Sequence, residues 1–323
     1  MNENIAIKNT CSKDFKKKEE NMLQNSLVIK NKVSKKQKKE MMIAYLFLLP
    51  ALLVIGIFVI IPICKLFYTS MRSTDLMGGN DVFIGLKNYS DLIHDAEFIR
   101  SFKASLYFMI IVMPLQTLLS LFMAIQVNKK IKGVGIYRSI YFLPVVTSFL
   151  VISYLWKFMY NTNFGLINEI LNVLHITRVN FLGNTNTAMN SIIVACIWKS
   201  WAFFMMIYLA GLKEIPISLY ESAAIDGVNS WQKFRYITFP MLKKTTLFIV
   251  MITSMDAFVK VFVPVFAMTQ GGPRGTTNIL VFHIWRQAFR LNQVGYASAA
   301  AVIMFLFVLI MSIIQFKIGD DKE

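Results

Sequence analysis

Six stretches of this chain are apolar almost without interruption, each for about twenty residues, and this constrains the fold more than any other feature. They cover residues 43–68, 102–127, 139–160, 190–212, 245–268 and 296–318. A bilayer core of about 30 Å is crossed by roughly 20 apolar residues of helix. Inside lipid every backbone N–H and C=O must be satisfied within the structure, and strands of a membrane barrel would be shorter and alternate in polarity. The expectation is an all-α membrane protein with six transmembrane helices. The balance of 56% hydrophobic to 16% charged residues over 323 positions agrees, being far from that of a soluble domain. The first stretch is too long and too far from the start for an ordinary signal peptide, and no small-residue cleavage site follows it.

The net charge of +16 is distributed by topology. With the N-terminus inside, the inner segments hold 22 Lys and Arg and the outer loops hold 7. That asymmetry predicts both termini and the 213–244 connector on the cytoplasmic side. Residues 1–42 then form a basic arm, 43–318 the membrane domain and 319–323 a short tail. The run Lys35, Lys36, Lys38 and Lys39 reads as an anchor beside anionic lipid rather than a nucleic-acid site. Cys11, Cys64 and Cys196 have no metal-ligand spacing, and His94, His175 and His283 stand alone, so neither a metal nor another cofactor is expected. Pro50, Pro62, Pro114, Pro144 and Pro264 lie within the apolar stretches, where each frees a carbonyl that a neighbour must satisfy. The outer segments read as ordered: 83–93 and 161–171 mix turn residues with aromatic and apolar ones, 269–277 is a dense turn signal, and Trp285 and Arg286 suit the membrane interface.

The connector between the fourth and fifth stretches is unusual. Pro216 suits a first helical turn and Gly227 the position just past a helix end. Between them Ile215, Leu219 and Ala223 form one row, and Ile217, Glu221 and Ile225 another. Such a helix is apolar nearly all round and asks for a partner surface, which the small Ser222, Ala223 and Ala224 would let approach closely. Asp226 is poorly placed at a helix C-terminus and better used by the next helix or by a partner. Asn229 or Ser230 can cap a second helix, on which Trp231, Phe234, Ile237 and Met241 share a face. The result is a compact two-helix knob.

Glu221, Ala223, Asp226, Gly227, Phe234, Ile237 and Pro240 match, at the right spacing, the loop of permease subunits in binding-protein-dependent ATP-binding-cassette importers. Ser222 stands where alanine is usual. The segments "AYLFLLPALL" (44–53), "IGLKNY" (84–89), "TQGGP" (269–273) and "GYASAAAV" (295–302), with the long run 142–168, resemble the carbohydrate-uptake branch of maltose and glycerol-phosphate type. The resemblance covers roughly residue 35 to the end. It implies that the knob, through Glu221, Ser222, Ala223, Ala224, Asp226, Gly227, Phe234 and Pro240, docks on a cytoplasmic ATPase subunit. It also implies a second, homologous permease subunit and an extracytoplasmic sugar-binding protein, which Gly271, Gly272 and Pro273 would face. The chain has no phosphate-binding loop and no catalytic constellation, so ATP hydrolysis belongs to another polypeptide and this is not an enzyme.

Lys199 sits between Trp198 and Trp201 in the fourth stretch, and Asp256 lies mid-way along the fifth, one turn before Lys260. Charges there cost about 2.5–3.5 kcal/mol each and face a cavity or a partner. Two readings follow: Trp198, Lys199, Trp201 and Asp256 line a sugar pathway, or Lys199 and Asp256 pair with one another. Lys65, Lys103 and Lys157 read as snorkelling anchors. An ion-coupled secondary transporter is the alternative class, though it leaves the knob unexplained; an intramembrane hydrolase lacks a paired nucleophile and base.

Overall fold

The computed structural model describes residues 35–79, 81–128 and 134–320. The arm before residue 35, and Lys129, Lys130 and Lys132 of the positive-inside count, lie outside the described residues. The chain divides into two compact units, one ending at Cys64 and one beginning at Lys65. In the first, the helix Lys35–Ile55 leads into a π turn, Gly56–Ile60. Pro62 explains the turn. It has no N–H to close the ordinary bond to Phe58, and the ladder widens so that the Ile61 amide reaches the Gly56 carbonyl. The helix Ile61–Ser70 completes span one.

Span two is a single helix, Ala96–Asn128, span four another, Ala188–Glu214, and span six a third, Val294–Asp320. Spans three and five are broken. Val134–Val146 and Phe149–Met159 meet at 96°, and Lys243–Val259 and Phe262–Met268 at 40°. Four helices are therefore long and apolar enough to cross a membrane unbroken, and six spans result when each bent pair is counted as one. The breaks follow the prolines: Pro144 lies just before the first, and Pro264 lacks the N–H that would have bonded Lys260 at the second. Pro50 and Pro114 sit inside helices that continue.

Spans two and four form the centre. Span two turns inward a stripe that includes Ser101, Ser105, Phe108, Val112, Ser120 and Ala124. Small residues let the helix backbones approach, and the Ser120 hydroxyl donates to the Trp201 carbonyl at 2.9 Å. Interhelical bonds of this type contribute about 0.6 kcal/mol each in lipid. Tyr208 of span four donates to Thr246 of span five at 3.1 Å, beside Gly211, where a Cβ would press on Thr245 at 2.8 Å. One apolar cluster gathers Phe108, Trp156, Ile192, Val265 and Phe282; another gathers Leu121, Phe204, Tyr208, Leu242 and Ile249. Of the segments expected to be ordered, 83–93 and 161–171 hold the short helices Lys87–His94 and Leu166–Val173, and 269–277 is a run of turns that precedes the helix Leu280–Trp285. The described strands are two residues each, a small antiparallel pair with Arg72 opposite Phe83.

Candidate functional site

The knob is built by local capping. Pro216, at φ −59° and ψ 130°, starts the helix Ile217–Ile225. Gly227, at φ +73°, ends it: the Gly227 amide donates to the Ala224 carbonyl at 3.2 Å and the Val228 amide to the Ala223 carbonyl at 3.0 Å. Only glycine takes this left-handed position without strain, and the two bonds close the helix end. Two residues later Asn229 accepts from the Gln232 amide while Gln232 Oε1 accepts from the Asn229 amide, both at 2.9 Å. This capping box starts the helix Ser230–Lys233.

The second half of the knob departs from the expected face. A π turn runs over Phe234–Thr238, because Pro240 cannot close the α bond to Tyr236 and the Phe239 amide reaches Phe234 instead. The register shift buries Thr238 and Leu242, half-buries Phe234 and Ile237, and leaves Trp231 and Met241 exposed. Tyr220 and Thr238 share a 2.9 Å hydrogen bond that ties the two halves together, and Ala223 is buried beneath them. Glu221, Ser222, Ala224, Asp226 and Pro240 are exposed. So are large apolar side chains: Ile225 at 88%, Tyr236 at 73% and Trp231 at 69%. The unit is held from within and carries an apolar outer surface.

Lys199 and Asp256, read from the sequence either as pathway-lining or as a mutual pair, have other partners. Lys199 is buried, and its Nζ donates to the Val145 carbonyl at 2.8 Å, with the Phe149 ring centroid at 5.8 Å. Val145 belongs to the last turn before the break in span three, whose carbonyls have no continuing helix to accept from. Lys199 thus supplies the donor that the break removed. Lys157 repeats the device, donating to the Ala267 carbonyl at 3.1 Å at the end of span five, so it is more than a snorkelling anchor; Lys65 and Lys103 are exposed. Asp256 pairs with Lys260, one turn along its own helix, at 2.7 Å. Lys199 and Asp256 do not pair.

A narrow cleft of about 30 Å³, open at its mouth, lies at the two breaks. Phe149, the first residue after the break in span three, lines it, with Asp256 and Lys260 just before the break in span five. Gln116, Ser200 and Thr253 add neutral polar groups, and the Thr253 hydroxyl is buried without a hydrogen-bond partner among the described residues. Buried hydroxyls without partners are uncommon. Of the four residues read from sequence as pathway-lining, Asp256 borders the cleft. Trp198 packs edge-on to Trp156 at 5.8 Å, and Trp201 packs on Tyr141 at 5.3 Å. Gln116, Ser200 and Thr253 were not singled out from sequence. The available signal was a lone amide and hydroxyls inside otherwise apolar runs.

The connector after span five is firmly held. Gly271, at φ +82°, lies against Phe282, where a Cβ would stand 2.8 Å from the ring. Thr277 donates to the Gly272 carbonyl at 2.6 Å, and Pro273 borders an opening shared with Lys157 and Asn161. Nearby, Tyr296 donates to Asp95 at 2.5 Å and Glu97 is ion-paired with Arg286. Burial would push the Asp95 carboxyl up, but the bonds from Tyr296 and the Glu97 amide hold it below the usual carboxylate range. His283 is fully buried with neither ring nitrogen hydrogen-bonded among the described residues, and burial pushes its pKa down.

A helical membrane bundle with two broken spans around a polar cleft, and a preformed knob between spans four and five, is the architecture of a transport permease. Residues 116–320 match the binding-protein-dependent transport system inner membrane component family, and the chain belongs to that family. It is 33% identical to the trehalose/maltose transport system permease protein MalF of Thermococcus litoralis, over 91% of this chain and 99% of that one. It is 31% identical to the sn-glycerol-3-phosphate transport system permease protein UgpA of Yersinia enterocolitica, over 86% of this chain and 94% of that one. The fold matches, with a TM-score of 0.79 and 22% identity, a chain of a bacterial ABC transporter involved in import of the acidic polysaccharide alginate, covering 89% of this chain and 99% of that one.

Proposed function

We propose that this chain is the permease subunit of an ATP-driven importer and forms half of the translocation pathway for a carbohydrate delivered by an extracytoplasmic binding protein. The observation that carries this reading is the knob. Two consecutive capping motifs preform it, and its apolar outer surface is suited to burial against another protein. In this reading both termini are cytoplasmic and the knob seats on a separate ATPase subunit through Glu221, Ser222, Ala224, Asp226 and the Gly227 turn. Ala223 and Phe234 pack it from within, and the exposed Pro240 sets its π turn. A second permease subunit completes the pathway, and the 271–273 turn faces the binding protein. The cleft at the breaks is this chain's contribution to the sugar path: Phe149 gives an aromatic face, and Gln116, Thr253 and Asp256 give groups that hydroxyls can bond. Lys199 positions the break in span three rather than contacting the sugar. The names of the two relatives support a carbohydrate or its phosphate ester as the solute.

An ion-coupled secondary transporter would share the broken spans but give the knob no role. Purification in mild detergent is expected to bring down a stoichiometric ATPase. Reconstituted vesicles should take up labelled maltose, trehalose or sn-glycerol-3-phosphate only with ATP and the binding protein. Uptake that follows an ion gradient and persists without ATP would reject the reading.

A further inference from the structure

The connector after span five and the start of span two border an open cleft of about 540 Å³ lined by Arg100, Arg274 and Arg286. Its two carboxylates are already engaged. Glu97 holds Arg286 and accepts from Asn278 Nδ2 at 3.1 Å. Asp95 accepts from the Tyr296 hydroxyl at 2.5 Å and from the Glu97 amide at 2.7 Å. Arg100 and Arg274 remain exposed, with no carboxylate, carbonyl or ring partner among the described residues. Both line this cleft, and Arg100 reaches the connector next to Arg274: a Cβ on Gly275 would stand 3.8 Å from Arg100 Nη1. The connector that carries Arg274 is fixed by hydrogen bonds from Gln270 to Val265 at 2.7 Å and from Thr277 to Gly272 at 2.6 Å.

We infer that this cleft is a preformed receptor for a carboxylate side chain, Asp or Glu, on the lobe of the extracytoplasmic binding protein. The inference rests on the importer reading above and names the contact it leaves open. Guanidinium forks suit carboxylates, and two unmatched ones held on ordered backbone favour a partner that brings the complementary charge. A free anion would meet exposed arginines in water, where such pairs contribute little, whereas a carboxylate within a docked interface is shielded. A lipid headgroup fits less well, because the remaining wall is Ala96, Gln270, Gly271, Gly272 and Gly275, with no apolar track for an acyl chain.

The test uses the assembled transporter in neutral-lipid nanodiscs, with ATP hydrolysis followed as solute-loaded binding protein is titrated at several salt concentrations. Arg100→Glu with Arg274→Glu should raise the half-maximal binding-protein concentration on the order of tenfold and flatten its salt dependence. Arg100→Gln with Arg274→Gln should give a smaller rise, and the Lys pair should restore most of the response. An unchanged half-maximal concentration and salt slope in the Glu pair would overturn the inference. So would full competition by millimolar inorganic phosphate, which would mark a free-anion site, or a variant effect confined to anionic-lipid discs, which would mark a headgroup site. A wild-type complex indifferent to the binding protein at every concentration would instead bring down the importer reading, and this inference with it.

Discussion

The knob and the two broken spans both interrupt the long helices of this chain, yet they satisfy their backbone groups in opposite ways. In the knob each helix end is closed by residues two to five positions away, as Gly227 and Asn229 do. In the broken spans carbonyls at helix ends are satisfied from another span, Lys199 reaching Val145 before the break in span three across 54 positions of sequence and Lys157 reaching Ala267 at the end of span five across 110. A segment outside the bilayer can be specified locally, because water completes whatever the side chains do not. Inside lipid the missing donor has to come from a neighbouring helix.

The largest expected effect is at Gly227. No atom lies within 4 Å of a Cβ built there, so a side chain meets open space and carries only the strain of the left-handed backbone, about 1–2 kcal/mol. Gly227→Val should therefore insert at near wild-type levels while uptake falls to background, because its side chain occupies the surface a partner must reach. Normal uptake at equal expression would break the contrast between a knob built for docking and a cleft built for the solute.

Next in size is Lys199. Lys199→Met removes the donor to a buried carbonyl, a loss of about 1–3 kcal/mol, and should lower the melting temperature and the yield. Adding Asp256→Leu should recover none of it, since Asp256 pairs with Lys260. Recovery in the double variant, measured by thermal unfolding in detergent, would revive the Lys199–Asp256 pair.

This contrast explains what could be read in advance. The six apolar stretches, the two-helix knob, the Gly227 turn and the Asn229 cap follow from periodicity and capping chemistry acting over a few residues. The inward face of span two does not, because exposed Ile110 and Leu118 are as apolar as core-facing Phe108 and Val112, and small hydroxyl residues are what mark the packed side. The breaks were half legible. Five prolines looked alike, but only at Pro144 and Pro264 does the span bend, and a lysine from another span caps a helix end in each of those two spans. In the knob, the π turn before Pro240 moved Trp231 and Met241 out of the face that a regular helix gives them.

Smaller effects sharpen the comparison. Asn229→Ala opens the capping box and should cost about 1 kcal/mol locally. Hydrogen exchange should quicken at residues 230–233 while the spans are unaffected, and equal protection in both proteins would deny that the knob is locally capped. The smallest effect concerns pH. Asp95 and His283 both titrate lower folded than unfolded, so the unfolded chain binds more protons and stability rises with pH. The His283 contribution is present above its unfolded value of about 6.5 and fades as pH falls from there towards its lowered folded value. Melting temperature should therefore drop on acidification, and His283→Leu should weaken that drop. An identical pH dependence in the variant would contradict the assignment.

The central claim, that the knob meets a cytoplasmic ATPase subunit, is tested most directly by one cysteine placed at Ile225 and compared with one at Thr276, both in a chain lacking Cys11, Cys64 and Cys196. The account predicts that an impermeant thiol reagent labels the Thr276 position in intact cells but not the Ile225 position, and that the Ile225 position crosslinks to the nucleotide-hydrolysing subunit once cells are broken. Labelling of the Ile225 position from outside intact cells, or the absence of any crosslink to that subunit in an active complex, would contradict it.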